Sequence, residues 1–198
     1  MRLRVAFVGG GEVRHRADVD AGVMVLADAT PSRYPRGGDI AAQIVADLVA
    51  AGAQGDATGP ARLATGARRA QAALACLAAH EPYYAELAAV VAAFLLDGAG
   101  LHIGHAGDVR AYRVRDGAVS WLTEDHLEAG AVTRVISPAA GGLAIRTIDA
   151  ALGDLLVLVP RDRHTSHGAI AGATGPHLVQ IATQIAGGQS AFVARIEP

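Results

Sequence analysis

A single cysteine, Cys76, in 198 residues leaves no internal disulfide framework and suits a reducing compartment. Aromatic residues make up only 4%, so helices packed closely through small side chains fit the composition better than an aromatic-rich binding surface. Neither sign of charge is in excess. Lys plus Arg number 17 against 19 Asp plus Glu, a net charge of −2, which excludes a strongly basic nucleic-acid binder or a polybasic membrane binder. No apolar run reaches the ~18 residues of a membrane span; the longest candidate, Leu87–Leu96, is too short. The first residues are apolar only over Val5–Val8 before the glycines begin, too few for a signal-peptide core. The expectation is a soluble, cytoplasmic protein. What is present is core material: 52% hydrophobic residues, largely alanine, against 18% charged. That is enough to exclude disorder and to fill one domain spanning 1–198.

Leu3–Val8, rich in Val and Phe and stopped by Gly9-Gly10-Gly11, reads as a strand, and Val23–Ala27 as a second. Residues 31–38 carry two prolines and two glycines and read as a loop. Asp39–Ala51 has Ile40, Ile44, Leu48 and Ala51 at helical spacing, with Asp39 placed to cap it. The Gly/Ala-rich stretch 51–66 reads as a flexible connection, and Ala67–His80 as a second amphipathic helix. Ala89–Leu96 is a continuous apolar run, Leu101–Gly104 a strand, and Ala111–Val114 with Val119–Leu122 flank Asp116-Gly117, the strongest hairpin signal in the chain. Leu155–Val159 reads as a buried strand, His177–Ala186 as a helix and Ala191–Ile196 as a last strand. Sequential hairpins with two long helices between them point to an α+β layered sandwich of antiparallel sheets.

The most specific segment is 95–126. It runs Leu-Leu-Asp-Gly, a short strand, His105-Ala106-Gly107-Asp108-Val109-Arg110, the hairpin, then Leu122-Thr123-Glu124-Asp125-His126. It resembles the metal-dependent protein phosphatases of the PPM family, the type 2C serine/threonine phosphatases, with their Gly-Asp-Ser-Arg and Leu-Thr-x-Asp-His pattern. Further pieces fall in the family's order: Gly11-x-x-Arg14 before an acidic cluster, Val25–Asp28 before Gly37-Gly38-Asp39, the strand opened by Gly153-Asp154, and the last strand from Ser190. The resemblance implies a four-layer αββα sandwich of two mostly antiparallel sheets. It also implies carboxylates holding two Mn or Mg ions, which activate a water against a phosphoserine or phosphothreonine ester while an arginine holds the phosphate.

The implied site is incomplete here. Asp28 keeps the acid of the first Asp-Gly, but Ala29 replaces its glycine. The second Asp-Gly falls on Arg161-Asp162, and the final Asp-Asn on Gly187-Gly188. The N-terminal acid has two registers: anchoring on Arg14 makes Asp18 the match, anchoring on Ala21 makes it Asp20. Asp108 matches an acid that serves an accessory metal in some members, and the threonine pair before the central strand falls on Leu87-Ala88 and is lost. Four carboxylates without cations repel strongly, a pair at 4 Å by about 4 kcal/mol at an effective dielectric of 20. A guanidinium at 161 could neutralise Asp28 and Asp20 instead. The expectation is a pseudophosphatase with no cofactor and a vestigial pocket of Arg14, Asp18, Asp20, Asp28, Asp108, Arg161 and Asp162. It would act as a regulatory module that binds a protein partner, including a phosphorylated one, through Arg14, Arg16, Arg33 and Arg36, with no nucleic-acid or membrane partner. The alternative is an active Mn- or Mg-dependent phosphatase using Asp18, Asp20, Asp28, Asp108 and Asp162.

Other features read as ordinary structure. Gly9-Gly10-Gly11 lacks the spacing of a phosphate loop and reads as a bend. His102 and His105, three apart on a strand, face opposite sides and read as sheet residues rather than zinc ligands. His164 and His167 read as a solvated loop, and Cys76, among Ala and Leu on a helix, as a small buried residue.

Overall fold

The apolar run at 89–96 becomes the middle strand of a sheet that is covered on both faces, which is why it has no polar alternation. The computed structural model describes residues 1–10, 13–160 and 167–198. Among these, twelve strands and four α-helices follow in order: β1 (Arg2–Val8), β2 (Arg14–Asp18), β3 (Val23–Ala29), α1 (Gly37–Gly52), α2 (Gly59–His80), β4 (Ala89–Asp97), β5 (Gly100–Ala106), β6 (Arg110–Arg115), β7 (Ala118–Trp121), β8 (Leu127–Glu128), β9 (Ala131–Val132), β10 (Ala144–Ile148), β11 (Leu155–Val159), α3 (His167–Gly172), α4 (Leu178–Ala186) and β12 (Ala191–Glu197). A 3-10 turn, Pro82–Glu86, links α2 to β4.

One sheet has the order β10-β5-β4-β3-β2 and the other β1-β12-β11-β6-β7, with every neighbour antiparallel. Alternation along β3 and β4 sends Val23, Val25, Ala27, Val91, Ala93 and Leu95 to a core shared with α1 and α2. It sends Met24, Leu26, Val90, Ala92, Phe94 and Leu96 to a second core between the sheets, opposite Leu156, Leu158 and Phe192. A third core joins the far face of the other sheet to α3 and α4 through Val157, Val193, Ile170, Ile181 and Ile185. The result is the αββα sandwich expected from the sequence. No helix among the described residues is long and apolar enough to cross a membrane.

Four local readings change. Helix α2 begins at Gly59, so the second half of the supposed connection is helical. Gly66 lies on that helix, and a Cβ at Gly52 of α1 would stand 2.4 Å from the Gly66 Cα, so these glycines set how closely the two helices approach. Strand β10 pairs with β5 from Ala144↔His105 to Ile148↔Leu101, although nothing in its sequence marked it. Asp39 does not cap α1: Arg36, in the left-handed region at φ 62°, is the N-cap and no side chain caps the helix. Cys76 is exposed, because it lies two residues, about 200° of helix, beyond the buried Leu74.

Candidate functional site

The segment that carried the resemblance folds into a lock at one end of the sandwich. The turn between β5 and β6 presents Asp108, half-buried. Arg110 donates from Nη2 and Nε to the two oxygens of Asp125 at 2.7 and 3.1 Å and stacks its guanidinium 4.9 Å from the centre of the Trp121 ring. Thr123 Oγ1 accepts from the Ala111 amide at 3.1 Å and from Trp121 Nε1 at 3.1 Å. The His126 amide donates to the Gly107 carbonyl at 3.0 Å, and the Gly107 amide donates to His126 Nδ1 at 3.2 Å. Gly107 sits at φ 91°, and a Cβ there would meet the Val90 side chain at 2.1 Å, so only glycine allows this return. The conspicuous motif residues thus hold the turn, and with it Asp108, in place.

His105 and His126 stack 4.5 Å apart beside this turn, with His105 Nε2 donating to the Glu124 carbonyl at 3.0 Å. Burial pushes the His105 pKa below the usual histidine value, reinforced by Arg134 and only partly opposed by the Glu124 bond. Burial likewise lowers that of His126, helped by His105 and Arg134. Both rings are therefore harder to protonate in the folded chain than in the unfolded one. The unfolded state then binds more protons, so stability is full above the ordinary histidine pKa near 6.5 and is lost as pH falls below it. Melting curves between pH 8 and about pH 5 should show a midpoint that drops below about 6.5, with a shallower drop in His105→Gln. An equal slope in the variant would show that this pair is not the cause.

On the other side of the site, Asp28 is the penultimate residue of β3, half-buried, its Oδ1 accepting from the Ala29 amide at 3.0 Å. The following loop, 29–38, encloses a cleft of about 390 Å³. Thr30 Oγ1 donates to the Ala88 carbonyl at 2.8 Å, and Ser32 Oγ accepts from the Tyr34 amide at 3.1 Å. Gly38 closes the floor, since a Cβ there would lie 2.8 Å from the Ala29 Cβ and from the Thr30 carbonyl.

The sequence-selected residues are not all gathered here. The β2–β3 register sets Arg14 opposite Ala27 and Asp18 opposite Val23. Asp18 therefore stands at the far end of β3 from Asp28, five strand steps or about 17 Å away. Parity separates them too. Arg14, Arg16 and Asp18 share a face with Val23, Val25 and Ala27, the face covered by α1. Asp28 follows Met24 and Leu26 toward the space between the sheets. Across that helix-facing side Arg14 pairs with Asp39 and Arg16 with Asp47. Asp18 accepts from the Ala21 amide at 3.0 Å and from Gln54 Nε2 at 2.8 Å, bonds that hold its carboxyl below the usual carboxylate range. Asp20 lies exposed in the β2–β3 turn.

Arg36 is 84% exposed and 3.9 Å from Asp39, and Arg33 is exposed on the cleft loop. Gly187 and Gly188 follow α4 in left-handed conformations, φ 54° and 89°, as a helix stop. Arg161, Asp162 and His164, with the proposed contacts of Arg161 to Asp28 and Asp20, lie outside the described residues, as does the side chain of His167.

The Arg14–Asp39 and Arg16–Asp47 pairs are the part of this geometry that the motif reading missed. The available signal was the alternation of charge at Arg14, Arg16 and Asp18, which marks one face of a strand.

No protein-family model and no curated sequence matches this chain. Solved structures do. The Mycobacterium tuberculosis serine/threonine phosphatase PstP/Ppp matches with a TM-score of 0.86 and 21% identity over 100% of both chains. The PPM Ser-Thr phosphatase MsPP of Mycobacterium smegmatis matches with a TM-score of 0.75 and 20% identity, over 99% of this chain and 98% of that one. The chain has the fold of the PPM, or type 2C, phosphatases. PppA of Pseudomonas aeruginosa matches with a TM-score of 0.78 and 18% identity, over 98% of each chain. The catalytic domain of PstP is also known in complex with two manganese ions, at a TM-score of 0.86 and 21% identity over 100% of this chain and 99% of that one.

That last finding corrects the expectation of a chain without a cofactor, because a protein of the same PPM fold holds a manganese pair. The described residues alone do not fit such a pair. No three His, Cys, Asp or Glu side chains among them converge, and Asp18 and Asp28 stand on opposite faces of the sheet.

Proposed function

We propose that this chain is a protein-binding regulator built on the PPM phosphatase fold, in which phosphoester hydrolysis has been lost. The observation that carries the reading is the separation of Asp18 from Asp28 by the β2–β3 register. Phosphoryl transfer is governed by positioning and charge placement, and acids about 17 Å apart cannot act on one phosphate. Gly187-Gly188 support the same reading, since they supply no side chain where the resemblance expects Asp-Asn. A regulatory use of the fold has a parallel in PppA, described as a key regulatory component of T6SS in Pseudomonas aeruginosa. The binding face is the exposed loop with Arg33 and Arg36. Arg14 and Arg16, already paired to Asp39 and Asp47, contribute less.

The test is turnover of p-nitrophenyl phosphate and of a phosphothreonine peptide with millimolar Mn²⁺ present, the ion carried by the PstP domain. Wild type and Asp28→Asn should both remain at the protein-free rate. Turnover in wild type that Asp28→Asn abolishes overturns the reading.

A further inference from the structure

An aromatic-poor chain concentrates its tyrosines. Of four in the sequence, Tyr34, Tyr83 and Tyr84 meet beside the cleft loop. Tyr34 and Tyr84 contact edge to face, centroids 5.0 Å apart, and the Tyr84 hydroxyl donates to the Tyr34 hydroxyl at 3.3 Å. This pair ties the loop to the 3-10 turn. Tyr83 has no such duty: at 73% it is the most exposed of the large hydrophobic side chains among the described residues. A groove of about 510 Å³ runs between the two segments, lined by Arg33, Tyr34, Pro35, Pro82, Tyr83 and Glu86. In a 3-10 turn residues three apart eclipse, so Tyr83 and Glu86 stand on the same side of it.

We infer that this groove binds an extended, proline-containing segment of a partner protein, with an acidic side chain at the Arg33 wall and a basic one at the Glu86 wall. The inference rests on the reading of the chain as a protein-binding module and names the class of segment it takes. Flat tyrosine faces beside prolines form the surface on which polyproline II segments dock, because such segments bring stiff apolar ridges and lose little entropy on binding. Tyrosine adds a hydroxyl at the rim for the occupant's free carbonyls. Charge complementarity fixes the rest. Arg33, with Arg36 beyond it, makes the loop wall basic, while Glu86 makes the opposing wall acidic. A run of acidic or phosphorylated residues would meet Glu86 unfavourably, whereas a segment carrying one charge of each sign satisfies both walls.

The test uses the full chain and a fluorescein-labelled peptide, Glu-Pro-Pro-Leu-Pro-Pro-Arg, followed by fluorescence polarisation. Saturable binding below about 1 mM is expected, weakened about tenfold by Tyr83→Ala, whose exposed position leaves the fold intact by circular dichroism. Arg33→Glu should weaken it as well, and a peptide with alanine for every proline should bind at least tenfold less tightly than the proline peptide. The inference is overturned by no saturation at 1 mM, by indifference to Tyr83→Ala, by equal binding of the alanine peptide, or by tighter capture of a proline-free phosphothreonine peptide. The same preparations assayed for turnover separate the two readings. Lost peptide binding without turnover removes the groove alone, whereas Asp28-dependent turnover removes the regulatory reading and leaves the groove to stand on its own binding data.

Discussion

Replacing Asp97 with alanine should lower the melting midpoint by roughly 6–12 °C, a loss of about 3 kcal/mol at 2–4 °C per kcal/mol for a chain of this size. Asp97, at the end of β4, accepts from His102 Nε2 at 2.9 Å and from Arg62 Nη2 at 2.8 Å. His102 is only 2% exposed, and its other nitrogen bonds Thr147 Oγ1 at 2.8 Å. The Arg62 side chain is 14% exposed and donates from Nη1 to the Ala53 carbonyl at 2.7 Å. Burial works against the Asp97 charge, but bonds from His102, the Ala99 amide and Arg62 outweigh it and hold the carboxyl below its usual range. Without that carboxylate an imidazole nitrogen and a guanidinium are left buried without their acceptor, and Arg62 Nε already lacks a partner. That is the costly way to break a buried pair. Asp97→Asn, which keeps one acceptor, should lose less. A midpoint shift under about 2 °C in the alanine variant would show that water replaces the carboxylate freely.

Gly66→Val should cost roughly 3 kcal/mol, and Gly66→Ala should destabilise although helix propensity alone favours alanine by about 1 kcal/mol. The two effects oppose each other, and contact distance decides between them. A Cβ at Gly66 would lie 2.8 Å from the Leu48 carbonyl oxygen and the Val49 Cα, and 2.9 Å from the Val49 oxygen. All three are backbone atoms of α1, so the clash is relieved only by moving one helix off the other. Urea unfolding reads the sign directly. A stabilised Gly66→Ala would mean that the α1–α2 contact yields without cost.

The same glycine explains where the sequence was hard to read. Residues 51–66 look like a linker because Gly and Ala weaken local helix preference, yet Gly59 and Gly66 sit on α2 for tertiary reasons. A Cβ at Gly59 would meet the His102 ring at 2.0 Å, and Gly66 lets α1 approach. Local composition cannot announce a contact with a strand forty residues away. The 6–7 hairpin was legible because Asp116, at φ 51°, and Gly117, at φ 77°, adopt the left-handed turn that Asp-Gly favours. The middle strands were legible because burial on both faces leaves an unbroken apolar run. Cys76 was legible in principle: its angular distance from Ala70 and Leu74 places it outside.

For the site, motif residues such as Arg110, Asp125 and His126 announced the fold and proved to be its fastenings. Which acids stand together was decided elsewhere, by the length of the β2–β3 turn. A turn one strand-length shorter or longer slides Asp18 along β3 without changing any motif.

The edges of the two sheets, as the described residues form them, carry a consequence for association. Three of the four edge strands bear arginines: Arg2 and Arg4 on β1, Arg14 and Arg16 on β2, Arg146 on β10. The fourth, β7, is four residues long and carries Trp121 with Arg110 stacked on it. Backbone groups along these edges are the natural template for a foreign strand, and cationic heads beside them hold such a strand off. Arg4, Arg14 and Arg16 find their counter-ions within the chain, so an approaching copy brings no new partner for them and must strip existing ones. The sandwich is thereby shielded against growing by strand addition.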